Sequence, residues 1–472
     1  LTAGSTYATA ASDVSIGYND VLINGQSVIA SGGTEFLASA DSLDSLVNAI
    51  NTNINGVSAG LLATAEITLS GDIRLTTPDL INYFKKGVLS TGIDVINIGI
   101  IPTPVNYYSM FLLGVAGAVQ ITGSHNPPEF NGFKMSLEKK AFFGKDIQSL
   151  YQLIDNSDFE TGEGSEARFK ILPKYKEMIL DKINIERPMK VVMDSGNAAG
   201  GINGPDVFKS MGIELKELYS EPDGTFPNHH PDPTVEENLQ DLIAEMKTGQ
   251  YDVGLAFDGD ADRVGVVDET GDIIWADQLM ALFLPEIISN GEDILFDVKC
   301  SQALEDMINK YGGNPIMWKT GHSLIKQKMG ELGCKLGGEM SGHIFFADDY
   351  YGYDDALYVG ARLVQLLSKS DKKLSELKAE IPVYYSTPEM RLEAENDEEK
   401  FRIAKEAIAY FTENYDCITV DGVRIKFGDG WGLVRSSNTQ PVIVCRFEAN
   451  SLERKNEIMN LILGKLKEFG TL

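Results

Sequence analysis

The sequence predicts an α/β fold of repeated strand–helix units, followed by a C-terminal α+β unit. The nearly continuous β-branched run from Ile93 to Ile101 is typical of a buried parallel strand. The segments STGIDVINIGIIPTP and KSMGIELKELYSEPDGTFP share a helix–glycine–strand–proline layout, which indicates an internal repeat. With 472 residues, the chain has room for three or four domains of about 100–150 residues each.

The first seventy residues have a composition of their own. No lysine or arginine occurs from Leu1 to Ile73, whereas the whole chain contains 41. The patterns predict a β-hairpin over 21–29 with an Asn24-Gly25 turn, a short amphipathic helix from Ser42 to Asn51 and a strand from Val57 to Leu69. The chain begins at Leu1 rather than at methionine, which indicates a fragment or a processed product.

Beyond residue 71 the elements alternate regularly. Thr77 is predicted to cap a helix that starts at Pro78 and stops at Gly92. Its apolar face consists of Leu80, Ile81, Phe84, Val88 and Leu89. Further predicted strands are Met189 to Met193, Val253 to Phe257 and Ile294 to Val298, and the last two helices are Asp397 to Tyr415 and Leu452 to Phe469.

The charge and cysteine content exclude several classes of partner. A formal net charge of −28 repels nucleic acids and anionic membranes, so we expect neither as a partner. No apolar run reaches ~18 residues and no charged leader precedes an apolar stretch, so we expect no membrane span and no signal peptide. The four cysteines form no CxxC pair, which favours buried free thiols in a cytoplasmic protein over disulfides or zinc ligation.

A loop centred on Ser124 is the first candidate functional segment. Residues 122–134 read TGSHNPPEFNGFK, and the glycine, asparagine and prolines predict a tight exposed turn that displays the hydroxyl. An ordinary turn and a catalytic loop both fit this pattern. A serine-hydrolase elbow does not, because it needs glycine two residues after the serine, where Asn126 stands.

Three alternating aspartates form the second candidate segment. Asp258, Asp260 and Asp262 follow an apolar segment that predicts a strand, so their side chains can converge. Unpaired, they would repel by roughly 3–4 kcal/mol per pair at ~5 Å and an effective dielectric of ~20. A hard cation such as Mg²⁺ or Ca²⁺ relieves this repulsion, and a solvated acidic turn is the alternative. An EF-hand is excluded, because its sixth position must be glycine and is Arg263 here.

These two segments occur together with two further motifs, Gly338-Glu339-Met340-Ser341-Gly342-His343 and Arg435-Ser436-Ser437-Asn438-Thr439-Gln440-Pro441. In order and spacing, the four resemble those of the alpha-D-phosphohexomutases, closest to the phosphomannomutase/phosphoglucomutase branch. The resemblance covers about Gly71 to the C-terminus. It implies three related α/β domains with mixed sheets and a C-terminal α+β domain around a central cleft.

The resemblance also implies a reaction, an isomerisation that moves phosphate between O1 and O6 of mannose or glucose through a bound hexose 1,6-bisphosphate. By this resemblance Ser124 carries the phosphoryl group and completes a Mg²⁺ site with the three aspartates. His125, Lys134 and Arg263 are then expected to act in catalysis. The residues expected to bind substrate are Lys299, His322, Glu339, Ser341, His343, Arg435, Ser437, Asn438 and Thr439. Glu339, Ser341 and His343 alternate, so we expect an extended stretch whose side chains face one side.

The resemblance leaves two alternatives open. Family members open with a Tyr-Asp-Ile-Arg-Gly-like segment whose arginine reaches the active site, and residues 1–70 contain no arginine. That stretch instead resembles the repeat module of flagellins and hook-associated proteins, so a catalytically impaired fusion or fragment is one alternative. Phosphoglucosamine mutase is the other, although Met340 favours the mannose/glucose branch. We expect a monomer, or else a dimer, that binds small sugar phosphates.

The expected domains follow from the same resemblance. They are an atypical β-rich segment (1–70), a truncated first domain with the serine loop (71–168), a second with the metal loop (169–271), a third with the sugar-recognition loop (272–381) and a fourth with the phosphate-binding loop (382–472).

Overall fold

The computed structural model describes residues 66–437 and 441–470, together with the backbone of four short strands before residue 66. The chain divides into two compact units. The first contains residues 1–273 and 353–375, and the second contains residues 274–352 and 376–472. The predicted helix from Ser42 to Asn51 lies outside the described residues.

The first sheet, in the first unit, is mixed and has the strand order β10-β6-β5-β7-β8-β2-β3, with β9 beside β8. Its elements are β2 (Val21–Ile23), β3 (Gln26–Ser27), β5 (Glu66–Gly71), α1 (Thr77–Leu89), β6 (Asp94–Ile100), α2 (Thr103–Leu113), β7 (Gly117–Ile121), β8 (Asn131–Leu137), β9 (Lys140–Ala141), α3 (Lys145–Asp155) and β10 (Glu166–Arg168), while β1 (Ser15–Ile16) pairs with β4 (Phe36–Leu37). The predicted hairpin is confirmed, because Leu22 pairs with Ser27, and β2 adds a parallel strand beside β8.

The second sheet, also in the first unit, has the order β12-β11-β13-β14-β15. Its elements are α4 (Leu172–Lys182), β11 (Lys190–Asp194), α5 (Gly200–Ser210), β12 (Glu214–Leu218), a 3-10 turn (Glu236–Leu239), α6 (Gln240–Met246), β13 (Val253–Phe257), β14 (Val264–Asp268) and β15 (Ile273–Ile274).

Two sheets form the second unit, with orders β17-β16-β18-β19 and β20-β25-β24-β23-β22, and β21 also pairs with β25. The third sheet has α7 (Ala276–Ile287), β16 (Asp293–Asp297), α8 (Gln302–Lys310), β17 (Asn314–Trp318), α9 (His322–Leu332), β18 (Leu336–Gly338) and β19 (Ile344–Phe346). After α10 (Ala356–Lys369) and α11 (Leu374–Lys378), the antiparallel fourth sheet has β20 (Tyr385–Ser386), β21 (Met390–Glu393), α12 (Asp397–Asn414), β22 (Asp416–Ile418), β23 (Val423–Lys426), β24 (Gly430–Ser436), β25 (Val442–Ala449) and α13 (Leu452–Phe469).

The first three sheets share one four-stranded core, which confirms the predicted repeat. The shared orders are β6-β5-β7-β8, β12-β11-β13-β14 and β17-β16-β18-β19. In each core the first three strands are parallel and the fourth is antiparallel. The loop from the third strand to the antiparallel fourth carries predicted functional residues in all three sheets: Ser124 in the first, Asp258 in the second and Glu339 in the third.

The helix α10 joins the first unit, although it follows the third sheet in the chain. It packs closely on the strand β13 and on α5: an added Cβ at Gly360 would lie 2.9 Å from a Leu255 methyl, and one at Gly204 of α5 would lie 3.1 Å from a Leu357 methyl. Apolar cores lie under each sheet, for example Phe84 against Phe133 at 5.7 Å between ring centroids.

Details of the predicted boundaries need correction. Thr77 is the first residue of α1 rather than its cap, and its hydroxyl donates to Asp72 Oδ1 at 2.8 Å. The helix ends at Leu89, so Gly92 does not stop it.

The prediction of free thiols is confirmed: none of the cysteines is in a disulfide, and all but the half-buried Cys417 are buried. No helix in the described part of the chain is long and apolar enough to cross a membrane.

Candidate active site

The loop between β7 and β8 presents Ser124 to the loop that follows β13. Ser124 is half-buried rather than fully exposed, and its backbone is left-handed, with φ of 48°. This conformation is uncommon for a residue other than glycine. The hydroxyl donates to Asp258 Oδ2 at 3.1 Å and lies 3.3 Å from Nδ1 of His125. Ser124 is therefore hydrogen-bonded to the predicted metal loop.

The three aspartates of that loop are fully buried and lie together. One carboxylate oxygen from each of Asp258, Asp260 and Asp262 lies within 4.8 Å of the others. Ala261, with φ of 60°, turns the chain between them. Asp258 Oδ1 accepts the backbone N–H groups of Asp262 and Arg263, each at 3.1 Å. The Arg263 side chain approaches Asp258 Oδ2 to 3.9 Å, so it is close enough to offset negative charge there.

Lys134 on β8 places a buried cation beside two of the aspartates. Its Nζ lies 2.7 Å from Asp260 and 2.5 Å from Asp262, and the Thr103 hydroxyl also donates to Asp260. Burial opposes the charge on Lys134, but the attraction of Asp260 and Asp262 outweighs it and raises the lysine pKa well above its usual value. Burial similarly opposes ionisation of Asp260, but Lys134 lowers that pKa. The pKa of Asp258 is raised well above its usual value by burial and by the other two carboxylates.

The residues present fit a hard metal ion. Oxygen ligands from several carboxylates are the donor set that Mg²⁺ and Ca²⁺ prefer. Asp260 Oδ1 is buried and, among the described residues, has no hydrogen-bond partner, although its other oxygen has two. A buried carboxylate oxygen without a donor is costly unless a cation binds it. The acidic cluster is therefore a candidate metal site.

The two adjacent histidines of residues 227–233 bind different partners. His229 Nε2 lies 3.0 Å from Asp194 Oδ2, at the end of β11. His230 Nε2 bonds the backbone carbonyl of His125. This loop is therefore structural, and it links the second sheet to the Ser124 loop.

In the second unit, the predicted sugar-recognition residues surround a turn rather than an extended strand. The strand β18 ends at Gly338, and the Gly342 N–H bonds the Glu339 carbonyl at 3.1 Å. The expected extended stretch through Glu339, Ser341 and His343 is therefore wrong, because a turn that includes Gly342, with φ of 99°, follows the strand.

Glu339 and two histidines nevertheless lie close together in this unit. Glu339 is buried and accepts the Gly321 N–H at 2.6 Å. Burial raises its pKa, the neighbouring His343 opposes the shift, and Asp297 adds to it. The rings of His322 and His343 stack with centroids 5.2 Å apart. A carboxyl group beside imidazoles can accept from and donate to sugar hydroxyls.

Asp297, which sequence reasoning missed, connects three loops of the third sheet. Its Oδ1 accepts from the Cys300 thiol at 3.1 Å and from the Met340 N–H at 3.3 Å, and its Oδ2 accepts from the Thr320 hydroxyl at 3.0 Å. Lys299 Nζ lies 3.8 Å from the same carboxylate and 3.3 Å from Glu389. Only the position of Asp297 at the end of a predicted strand could have indicated this role.

The predicted phosphate-binding loop is partly described. Arg435 Nε bonds Asp421 at 2.9 Å, Ser437 is buried, and Asp421 also accepts the Thr320 N–H at 3.1 Å. Asn438 and Thr439 lie outside the described residues.

Nearby, Arg424 lies 3.6 Å from the centroid of the Trp431 ring and donates to the carbonyls of Val298 and Cys300, at 2.7 and 2.8 Å. Arg424 thereby anchors the segment that carries Lys299. The sequence analysis did not identify this role of Arg424.

Four family models match successive parts of the chain. They describe domains I, II and III of phosphoglucomutase/phosphomannomutase, each alpha/beta/alpha, and its C-terminal domain. The matched residues are 44–161, 173–271, 275–385 and 389–465.

Individual proteins are similar over most of the chain. The phosphomannomutase/phosphoglucomutase of Pseudomonas aeruginosa is 45% identical over 405 residues, which cover 85% of this chain and 87% of that protein. The phosphoglucomutase of Neisseria gonorrhoeae is 42% identical over 402 residues, with 84% and 87% covered. The crystal structure of a phosphoglucomutase/phosphomannomutase family protein from Burkholderia thailandensis superposes with a TM-score of 0.84 at 40% identity, covering 93% of this chain and 96% of that chain.

Proposed function

Because this chain belongs to the phosphoglucomutase/phosphomannomutase family, we propose that it moves a phosphoryl group reversibly between O1 and O6 of mannose and glucose phosphates. The observation that carries this proposal is the hydrogen bond of 3.1 Å between the Ser124 hydroxyl and Asp258, within a buried cluster of three aspartates. A serine beside a buried cation site suits storage and transfer of a phosphoryl group, which depend on positioning and on neutralisation of charge. The names of the relatives support the same reaction.

In this proposal Ser124 holds the phosphoryl group between the two halves of the reaction. Asp258, Asp260 and Asp262 hold Mg²⁺, which when bound supplies positive charge to the phosphoryl oxygens. Arg263 and the buried ammonium of Lys134 add fixed positive charge at the aspartate cluster. His125 lies at hydrogen-bonding distance from the serine oxygen and is placed to exchange a proton there.

The second unit supplies the residues proposed to bind the sugar phosphate. Glu339, Ser341 and His343 read the hydroxyl groups, with Lys299 and His322 beside them. Arg435, Ser437, Asn438 and Thr439 bind the phosphate that is not transferred. We propose hexose 1,6-bisphosphate as both intermediate and activator.

We propose domain limits at 168/169, 271/272 and 381/382. The expected limit between 1–70 and 71–168 falls inside the strand β5, which spans Glu66–Gly71, and the family match to domain I starts at residue 44, so we propose that the first domain begins ahead of residue 71. A flagellin-like origin of residues 1–70, a cytoplasmic location and a monomeric or dimeric state are further parts of this proposal.

A coupled assay tests the function directly. Wild-type protein, Ser124→Ala and the exposed control Ser149→Ala would be given mannose 1-phosphate, glucose 1-phosphate or glucosamine 1-phosphate, with Mg²⁺ and a trace of glucose 1,6-bisphosphate. We expect turnover of the first two substrates, a loss of several orders of magnitude in Ser124→Ala and normal turnover in Ser149→Ala. Turnover of the glucosamine substrate alone would favour a phosphoglucosamine mutase. A folded wild-type protein without turnover would favour the impaired fusion.

A further inference from the structure

The side chain of Arg74, which follows β5, is buried beneath the Ser124 loop. Its exposed fraction is 0%. Nη2 donates to the backbone carbonyls of Ser124 at 2.7 Å and Asn126 at 2.5 Å. Nη1 donates to the carbonyls of Pro127 at 2.5 Å and Phe130 at 2.8 Å. One guanidinium group therefore binds four carbonyls of a single loop.

Asp72 completes the bonding of this arginine. Its Oδ2 accepts from Arg74 Nε at 3.2 Å, from the Thr122 hydroxyl at 2.7 Å and from the Gly123 N–H at 3.2 Å. Together with the four carbonyls, this bond uses all five N–H donors of the guanidinium group. A buried ion pair is favourable only when its hydrogen bonds are made in this way.

The two residues hold the backbone of Ser124 on both sides. The Ser124 N–H donates to the Thr122 hydroxyl at 2.8 Å, and that hydroxyl donates to Asp72. The Ser124 carbonyl is bound by Arg74 and lies against Gly259, where an added Cβ would be 2.1 Å from the carbonyl oxygen. The left-handed backbone of Ser124 is thus fixed between the first sheet and the metal loop.

We propose that Arg74, with Asp72, is a positioning residue for phosphoryl transfer: it keeps Ser124 in the backbone conformation that directs its hydroxyl towards Asp258. This inference rests on the proposed function. The planar fork of arginine is needed, because a lysine ammonium cannot reach four carbonyls that lie on two edges of a guanidinium plane. The role is distinct from catalysis, since Arg74 reaches the serine only through its backbone.

A positioning role and a purely structural role predict different kinetics. A residue that only stabilises the fold changes the amount of folded protein, whereas a shifted serine slows the transfer step in every folded molecule. Displacements of about 1 Å can cost on the order of 10²-fold in rate. Because the sugar phosphate is bound by other residues, its KM should change little.

Arg74→Lys keeps the charge and removes the fork, and Arg362→Lys is its matched control. Arg362 is also buried and lies in the first unit on α10, where it bonds the Tyr358 hydroxyl at 3.2 Å. For Arg74→Lys we expect kcat to fall on the order of 10²-fold, with KM within about 3-fold, whereas Arg362→Lys should stay within about 2-fold in both. Hydrogen exchange of the amides in residues 122–130 should accelerate only in Arg74→Lys.

Several results would overturn the inference. A folded Arg74→Lys protein with normal kcat, or with a raised KM at unchanged kcat, would do so. If Arg74→Lys does not fold, Thr122→Val takes its place, because it removes the hydroxyl between Asp72 and the Ser124 N–H. The inference requires a lower kcat at unchanged KM in this variant, and a normal kcat would refute it. If wild-type protein has no mutase activity, the proposed function fails, while unchanged exchange in Arg74→Lys would separately show that Arg74 does not hold the loop.

Discussion

Replacing Lys134 with methionine should destabilise the metal-free protein strongly. Lys134 Nζ lies 2.7 Å from Asp260, where the Coulomb attraction at an effective dielectric of ~20 is about 6 kcal/mol. Desolvation of the ammonium offsets part of this, and breaking a buried ion pair typically costs about 3–5 kcal/mol. At about 2–4 °C per kcal/mol for units of this size, we expect the melting temperature in EDTA to fall by roughly 6–20 °C.

Magnesium should restore much of that loss. A cation at the aspartate cluster replaces the countercharge that Lys134 supplies, and at ~100 times its Kd it adds about 2.7 kcal/mol. The gain should exceed that of wild-type protein, because the methionine variant no longer places a positive charge beside the ion. The assay is thermal unfolding of both proteins in EDTA and in a Mg²⁺ titration.

Lys400→Met is the matched control. Lys400 is also buried and pairs with Asp397 at 2.7 Å, but it lies on α12 in the second unit. Its variant should lose the same stability with and without Mg²⁺. If Lys134→Met behaved like this control, or gained less from Mg²⁺ than wild-type protein, the assignment of a cation site beside Lys134 would be wrong.

Two further predictions concern the support of the serine loop. Gly259→Ala would place a methyl group 2.1 Å from the Ser124 carbonyl, so we expect a lower melting temperature and turnover reduced on the order of 10²-fold. Gly330→Ala, at an exposed position of α9 with open space around it, should instead stabilise by about 1 kcal/mol, and similar melting temperatures for the two variants would contradict the close approach at Gly259. Burial opposes protonation of His229, but the attraction of Asp194 outweighs it and raises the histidine pKa. The pair therefore stabilises the folded protein fully below the unfolded histidine pKa of ~6.5, and this stabilisation is lost as the pH rises through the folded pKa. Asp194→Asn should therefore cost more stability in urea unfolding at about pH 6 than at about pH 9, and an equal cost at both would refute this.

The loops proposed for chemistry could be predicted because their residue types are unusual. A serine among glycine, asparagine and prolines, or three alternating aspartates, stands out against ordinary turns. The strand β13 and the helix α13 occur at their predicted residues for the same kind of reason, since apolar runs and helical periodicity are local signals.

The supports of those loops could not be predicted, because they act across long sequence separations. Arg74 binds carbonyl groups 50 to 56 residues away. Every residue has a backbone carbonyl whatever its side chain, so the sequence does not mark the residues that Arg74 binds. Arg424 likewise binds backbone carbonyls, so residue type carries no information about that contact. Asp297 accepts from a thiol, a hydroxyl and a backbone N–H that lie 3, 23 and 43 residues away, and no local pattern relates these positions. The turn at Glu339 was missed because the left-handed Gly342 interrupts an apparently regular alternation.

The placement of α10 also constrains the order in which the protein can be completed during synthesis. The first unit includes residues 353–375, which come after the third sheet in the sequence, whereas its other residues end at β15, before that sheet. At ~5–20 residues per second, the ribosome needs roughly 5–20 s to add the intervening segment and the helix. During that interval the apolar surface around Leu255 and Gly204 has no cover, so a nascent chain stalled before α10 should be captured by chaperones, and one stalled well beyond it should be released.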